Sequence, residues 1–235
     1  MKKLLAAVLG AALFFGGYTL GSRQIRTIGD SAREAAILRD AYAFSLLEVD
    51  LNSLRAVNPD VLGWIVIPDT SLSYPLLQGT DNGYYLNHSW QGNYDPAGAV
   101  FVEYRDAADF SSFNTRIYGH RMGRDSMFNC LQNYGSEEYL TDHPKVYIVT
   151  AEGVRVYRIF AACEVTVNAP VYWLTDSRTE YRQDVIDFCM VNSVVKTGIF
   201  PAVSGRMLTL STCVGLLPSD QRWVVLAMET ELITR

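Results

Sequence analysis

Short runs of apolar residues, often alternating with polar ones, recur from residue 61 to the C-terminus and predict β-strands. Turn-forming residues separate the runs, as Ala151-Glu152-Gly153 does between two of them. Many short strands with turn signals indicate a mostly β structure, closed or sandwiched. The predicted strands cover 62–68, 73–77, 98–104, 114–118, 146–150, 154–167, 206–210 and 223–228.

A helical period replaces this pattern in two parts of the chain. Ser31 and Glu34 form a capping-box pattern that opens an N-terminal helical segment, 31–60, with a short second helix at 51–57. Apolar residues at steps of three and four predict a long helix over 179–195. Two short helices are expected at 127–134 and 137–140, where Glu137-Glu138 is interpreted as a solvated helix start.

The N-terminus carries a membrane signal. Lys2 and Lys3 precede an uncharged run over 4–22, which predicts a signal anchor at 1–22 followed by a connector at 23–30. A cleavable signal peptide is the alternative, but no clear A-x-A cleavage site follows the run. The charge bias predicts a single-pass membrane protein whose remaining chain, including a main domain at 61–235, lies outside the cell.

Composition narrows the chemistry further. The formal net charge of −5 over 235 residues gives no electrostatic reason to expect a nucleic-acid partner. The four cysteines match no zinc or redox spacing, and no phosphate-binding loop is present, so neither a metal nor a cofactor is expected. Three of the cysteines are interpreted as small buried apolar residues.

The fourth cysteine, Cys213, ends the strand-like run Thr209-Leu210-Ser211-Thr212-Cys213, and Arg222 begins the next one. A thiol beside a fixed positive charge ionises more easily, and the thiolate is the form that attacks carbon. His120 directly follows the strand 114–118, whereas the other two histidines lie in ordinary loops. The three residues predict an acyl-transfer site with Cys213 as nucleophile, His120 as proton carrier and Arg222 as oxyanion donor.

This set of motifs resembles the sortases, membrane-tethered transpeptidases of Gram-positive bacteria. The resemblance rests on Thr209–Cys213, the run Tyr118-Gly119-His120 and Arg222, and it covers about residues 31–235. The N-terminal helical segment, the 179–195 helix and the stretch around 81–101 are similar to class B. The resemblance implies an eight-stranded β-barrel with added helices, and a catalytic set of Cys213, His120 and Arg222.

The resemblance also implies substrates and binding residues. A sortase cleaves a C-terminal sorting motif of a secreted protein, NPQTN-like in class B, and passes the acyl group to an amine of the cell-wall precursor lipid II. Val214 and Pro218 depart from the family pattern beside the thiol, so the motif itself is left open. The residues implied to bind the peptide are Asn82, Leu86, Tyr118, Ser211, Thr212 and, in the wall formed by 172–174, Trp173.

Three alternatives remain at this point. A pilin polymerase would use a pilin lysine as acceptor instead of lipid II. A plain cysteine peptidase would use water. A non-catalytic binding domain anchored to the membrane would keep Cys213 buried.

Overall fold

The structure is a computed structural model that describes residues 42–123, 126–174, 178–214 and 219–234. The chain divides into two units, 1–45 and 46–235. Of the first unit only 42–45 are described, and they are helical. The second unit contains all the strands given below.

Eight strands of the second unit form a closed barrel in the order β1-β2-β3-β4-β9-β10-β8-β7. Most neighbours are antiparallel, but β2–β3 and β4–β9 are parallel. This architecture confirms the predicted eight-stranded barrel with added helices. The strands are β1 (Val61–Val66), β2 (Ser73–Leu77), β3 (Val100–Val102), β4 (Asn114–Tyr118), β5 (Arg121–Met122), β6 (Ser126–Met127), β7 (Lys145–Val149), β8 (Gly153–Thr166), β9 (Met207–Cys213) and β10 (Gln221–Thr234).

Within its described residues the second unit has these α-helices beside the barrel: α1 (Leu51–Val57), α2 (Glu137–Asp142) and α3 (Thr179–Asn192). Short 3₁₀ helices occupy Tyr84–Leu86, Asn129–Gly135 and Pro170–Tyr172. The Ser136 side chain caps α2, and Glu137 and Glu138 occupy its exposed first turn. An acidic first turn suits the positive end of a helix.

The differences from the predicted elements are local. The short helix expected at 127–134 is a 3₁₀ helix, Asn129–Gly135, while β5 and β6 form a two-stranded hairpin that the pattern did not indicate. Strand β10 continues to Thr234 because it stays paired with β8, across an irregularity at Glu229–Glu231. The residues directly after 228 are polar, so the hydrophobic pattern did not predict that the strand continues.

Strand β9 is buried on both faces. Leu208 and Leu210 point into the barrel core together with Ile117 and Val225. Met207 packs in a second cluster, which includes residues of α3, and α3 packs against β8. A strand that is packed on both faces is held firmly, so the position of its end, at Cys213, is set by the barrel itself.

The structure contradicts the predicted localisation as a single-pass membrane protein. A spanning helix needs about 20 apolar residues, whereas α3, the longest of the three α-helices, has 14 residues and a mixed polar sequence. Within the described residues, no helix is long and apolar enough to cross a membrane. The segment 1–22, on which the prediction rested, and the connector 23–30 lie outside the described residues. The predicted domain division stays a prediction.

Candidate active site

Three neighbouring strands bring Cys213, His120 and Arg222 to one end of the barrel. In the parallel pair β4–β9, Tyr118 is level with Ser211, so His120 and Cys213 each follow two residues later at the same end. In the antiparallel pair β9–β10, Arg222 lies directly opposite Cys213. Directly opposed residues have side chains on the same face. The thiol therefore sits on the middle strand, between the imidazole and the guanidinium.

A groove of about 430 Å³ lies over this end of the barrel. Its walls come from β3, β4, β9 and β10, from the segments next to these strands, and from the segment that follows β8. The lining residues are Asn82, Leu86, Phe101, Glu103, Arg105, Tyr118, His120, Val167, Tyr172, Ser211, Thr212, Cys213 and Arg222. The three candidate catalytic residues thus share one solvent-accessible groove.

His120 is held by its neighbours on both sides. The Gly119 amide donates to Ser211 O at 3.3 Å, and Phe128 N donates to His120 O at 3.0 Å. A Cβ at position 119 would lie 2.8 Å from the Phe128 ring, so only glycine allows this close packing. The imidazole Nε2 lies 2.7 Å from Leu86 O. Because a carbonyl oxygen only accepts, Nε2 carries the hydrogen in this arrangement and Nδ1 is the nitrogen left for proton exchange.

Arg222 is oriented by backbone carbonyls at the end of its own loop. Its Nη1 donates to Ser219 O at 2.7 Å and to Gln221 O at 2.8 Å. Neither Nε nor Nη2 has a hydrogen-bond partner within the described part of the chain. The guanidinium is therefore fixed through one nitrogen while other donors remain available to a ligand.

The environment of Cys213 differs from that of the other cysteines. Cys213 is partly exposed, whereas Cys130, Cys163 and Cys189 are buried, and all four are free thiols. Burial raises the pKa of Cys163 to about 12 and raises that of Cys189 well above its ordinary value. These two core thiols are thus kept protonated.

The chain after Cys213 is tied to the histidine segment. Arg121 donates through Nη1 to the carbonyl of Val214. The residue after His120 thus binds the residue after Cys213. This contact links the two segments across the strand ends and supports their spacing.

Tyr172 forms part of the groove wall next to Ser211. Its hydroxyl hydrogen-bonds to Ser211 Oγ at 2.7 Å, and its pKa is raised to about 12, chiefly by burial. Arg116 Nη1 donates to the carbonyl of Tyr172 at 2.8 Å, while Asn114 Nδ2 donates to Val171 O at 2.9 Å. Buried polar side chains of β4 thus fix this wall against the barrel.

Glu103 is the centre of a polar cluster in the groove wall. Its carboxylate accepts hydrogen bonds from Arg105 Nε (2.6 Å), Asn82 Nδ2 (2.7 Å) and Tyr118 OH (3.1 Å). Burial by itself raises the pKa of this carboxyl, but the Arg105 and Asn82 hydrogen bonds outweigh it, and the pKa lies below its ordinary value. The groove therefore holds a buried carboxylate that is ionised at neutral pH.

Most of the residues expected to bind substrate line the groove. Asn82, Leu86, Tyr118, Ser211 and Thr212 all do so, and the buried Thr212 Oγ1 has no hydrogen-bond partner among the described residues. Trp173 is not among the lining residues; its ring is half exposed and lies edge-on to that of Tyr181, 6.3 Å away. Its role in binding stays a prediction.

Sequence reasoning missed four lining residues: Phe101, Glu103, Arg105 and Val167. Glu103 left a usable signal, since it is an acidic residue directly after the apolar strand Val100–Val102.

In the described part of the chain, no group of three or more His, Cys, Asp or Glu side chains is arranged to hold a metal ion.

The fold and the groove agree with the comparisons. The family model described as "Sortase domain" matches residues 65–230. The chain therefore belongs to the sortase family and is a cysteine transpeptidase.

Two relatives have the name Sortase B. That of Listeria monocytogenes is 32% identical over 220 residues, which make up 90% of this chain and 89% of the relative. That of Staphylococcus aureus is 32% identical over 162 residues, 68% of this chain and 66% of the relative. The chain is thus most like the class B sortases.

Solved structures give the same result. The S. aureus sortase B–substrate complex has a TM-score of 0.72 at 29% identity, covering 77% of this chain and 84% of that one. Sortase B of Clostridium perfringens has a TM-score of 0.72 at 26% identity, covering 77% of this chain and all of that one. The barrel of this chain is therefore the class B barrel.

Proposed function

We propose that this sortase cleaves a C-terminal, NPQTN-like sorting motif of secreted proteins and transfers the acyl fragment to an amine of the cell-wall precursor lipid II. Cys213, His120 and Arg222 carry the reaction in this proposal. The observation that supports it most is the alignment of these residues on three adjacent strands, inside one groove.

Cys213 acts as the nucleophile. Its sulfur attacks the scissile carbonyl carbon, forming a C–S bond and a tetrahedral oxyanion. The proton that the thiol loses is carried by His120, which gives it to the departing amine as the C–N bond breaks. The product of this half-reaction is a thioacyl enzyme on Cys213.

The second half-reaction runs through the same groups in reverse. The acceptor amine attacks the thioester carbon, His120 takes a proton from it, and the C–S bond breaks to release the thiol. The hydrogen bond from Nε2 to Leu86 O supports Nδ1 as the nitrogen that exchanges this proton.

Arg222 stabilises the oxyanion in both half-reactions. Its Nη1 is held by two carbonyls, so its remaining N–H groups are positioned before the substrate arrives. Donors that are positioned in advance stabilise developing charge without reorganising during the reaction. A planar guanidinium can also make two aligned contacts, which an ammonium cannot.

The test is incubation of the protein with an NPQTN peptide and two competing amines, one from a peptidoglycan stem peptide and one from a lysine-containing pilin peptide. We expect a thioacyl adduct on Cys213 by mass spectrometry and transfer to the peptidoglycan amine. Cys213→Ala should form no adduct, whereas Cys130→Ala, the control at a buried thiol, should retain it.

Each other outcome favours one alternative. Preferred transfer to the lysine peptide would indicate a pilin polymerase. Hydrolysis alone at high amine concentration would indicate a peptidase. Absence of any adduct, together with slow reaction of Cys213 with a small thiol reagent, would indicate a binding domain.

A further inference from the structure

We infer that Glu103 is a positioning residue for the substrate: it fixes donors of Asn82 and Arg105 that bind carbonyl oxygens at the end of the sorting motif remote from the scissile bond. This inference rests on the proposed function. It explains why the groove contains the buried Glu103 carboxylate, which takes no part in the bond changes at Cys213.

The first argument is the burial and hydrogen bonding of Glu103. The residue is 1% exposed, yet it lines the groove and carries a charge. A buried carboxylate is costly unless it is fully hydrogen-bonded. Its three side-chain partners, Asn82, Arg105 and Tyr118, themselves all line the groove. The hydrogen bonds that satisfy this charge therefore set the positions of three groove side chains.

The second argument is the direction in which Asn82 is held. Its Nδ2 donates to Glu103 Oε2, and its Oδ1 accepts from the backbone amide of Tyr104 at 3.1 Å. These two partners fix which end of the amide is oxygen. One N–H of Nδ2 has no partner within the described residues, and this donor is available to a peptide carbonyl.

Arg105 is held in a similar way. Its Nε donates to Glu103 Oε1, and its guanidinium carbon lies 5.3 Å from the centre of the Tyr104 ring. The side chain is 44% exposed, and its two terminal nitrogens have no hydrogen-bond partner in the ranges that the structure describes. Restraint at Nε leaves these terminal N–H groups as a fixed pair of donors.

The third argument is the distance from Cys213. Glu103 N donates to Arg116 O, so Glu103 is level with Arg116, which precedes Tyr118 by two residues. Tyr118 is level with Ser211, and Cys213 lies two residues further on. Four residues along the strands and two strand spacings separate the Cα atoms of Glu103 and Cys213 by about 16 Å. An extended peptide covers this distance with about five residues, which is the length of a sorting motif.

The donors contact the acyl side of the motif. After the first half-reaction the acyl fragment stays bound to Cys213, while the leaving fragment must vacate space for the amine. We place the cluster on the N-terminal side of the scissile bond, because contacts there would persist through both half-reactions and hold the acyl fragment for the incoming amine.

The test compares kcat and KM of Glu103→Gln with those of the parent. The substrate is the NPQTN peptide or, if the parent does not cleave it, the peptide that the parent cleaves best in a library of sorting-motif variants. A glutamine offers one acceptor oxygen and places an NH₂ group against a donor, so Asn82 and Arg105 cannot both stay held. We expect KM to rise about tenfold and kcat to change little, since the loss affects ground-state and transition-state binding equally.

Glu229→Gln is the matched control. Glu229 is also an ion-paired carboxylate, bound to Arg155 at 3.2 Å, but it lies outside the groove. This variant should lose stability without any change in KM. An unchanged KM in folded Glu103→Gln, or an equal rise in Glu229→Gln, would overturn the inference.

Two further variants keep the test independent of folding. Arg105→Gln changes a half-exposed side chain and keeps an amide N–H that can donate to Glu103, but it removes the terminal guanidinium donors. It should also raise KM, and an unchanged KM would refute the inference. In an Asn82→Ala background, Glu103→Gln should have a smaller effect than in the parent, because coupled residues are not additive. Failure of the proposed function is a different result, namely no Cys213-dependent cleavage of any peptide by the parent.

Discussion

The ion pair between Arg116 and Asp106 offers a stringent test of how the Tyr172 wall is held. Both side chains are almost fully buried, and Asp106 accepts from the Arg116 amide, from Nε and from Nη2. Nη1 of the same guanidinium donates to the carbonyls of Tyr172 and Trp173. Arg116→Met would therefore leave a buried carboxylate and two wall carbonyls without their side-chain donor.

The expected loss of unfolding free energy is large. Removing one partner of a buried ion pair costs about 3–5 kcal/mol. At about 2–4 °C of Tm per kcal/mol for a domain of this size, the melting temperature should fall by roughly 6–20 °C. Domains of this kind have about 5–15 kcal/mol of stability, so the variant should still fold at low temperature. With Tyr172 no longer fixed beside Ser211, KM for the peptide should rise as well.

The pH dependence gives the sharper readout. Burial raises the pKa of Asp106, and the contacts with Arg116 limit that rise. Without Arg116 the pKa rises further above its unfolded value, so the folded state binds more protons than the unfolded state. Stability then falls as the pH increases through that interval. The stability deficit of Arg116→Met should therefore be larger at pH 7 than at pH 5.

Urea denaturation at the two pH values, with the parent measured alongside, would check this prediction. The double variant Asp106→Asn/Arg116→Met lacks the titrating group, so its deficit should not be larger at pH 7 than at pH 5. A deficit in Arg116→Met that is constant, or larger at pH 5, would refute the electrostatic reasoning and leave only a loss of packing.

Three further predictions follow from the site. Arg222→Lys should lower kcat about a hundredfold or more in the peptide assay, because the ammonium cannot keep both carbonyl contacts and still serve the oxyanion; near-normal turnover would argue against the role of Arg222. A charged thiol reagent should label one cysteine per native chain, Cys213, by mass spectrometry, and labelling of a core cysteine would contradict the burial. Gly119→Ala should cost about 1–3 kcal/mol and reduce kcat, since its Cβ meets the Phe128 ring, whereas Gly123→Ala, with nothing within 4 Å, should do neither.

Much of the fold could be predicted from local pattern. Alternation located the barrel strands, because a strand with one face in the core repeats every two residues. The 3₁₀ helices Tyr84–Leu86 and Pro170–Tyr172 and the β5–β6 hairpin were not predicted, since segments of two or three residues show no periodicity. The C-terminal part of β10 was not predicted, because its residues are mostly polar and it is held in the sheet by pairing with β8.

The site was predictable to different degrees. Cys213 and Arg222 belong to consecutive strands, so an antiparallel pair with both residues in one cleft was a local inference. The alignment of His120 with Cys213 depends on the parallel β4–β9 pair, whose strands are remote in sequence. Glu103 was missed because two of its partners, Asn82 in a loop and Tyr118 at the end of β4, are remote in sequence, and only the folded barrel brings them together.

Seven consecutive pairs, from Met207–Met228 to Cys213–Arg222, set the backbone positions of Cys213 and Arg222 opposite each other. The direction of the Arg222 guanidinium depends in addition on Ser219 O, which belongs to the connection between the two strands. A replacement connection that keeps this carbonyl contact should therefore preserve the reacting groups, whereas one that loses it should leave the two backbones paired and the cation misdirected.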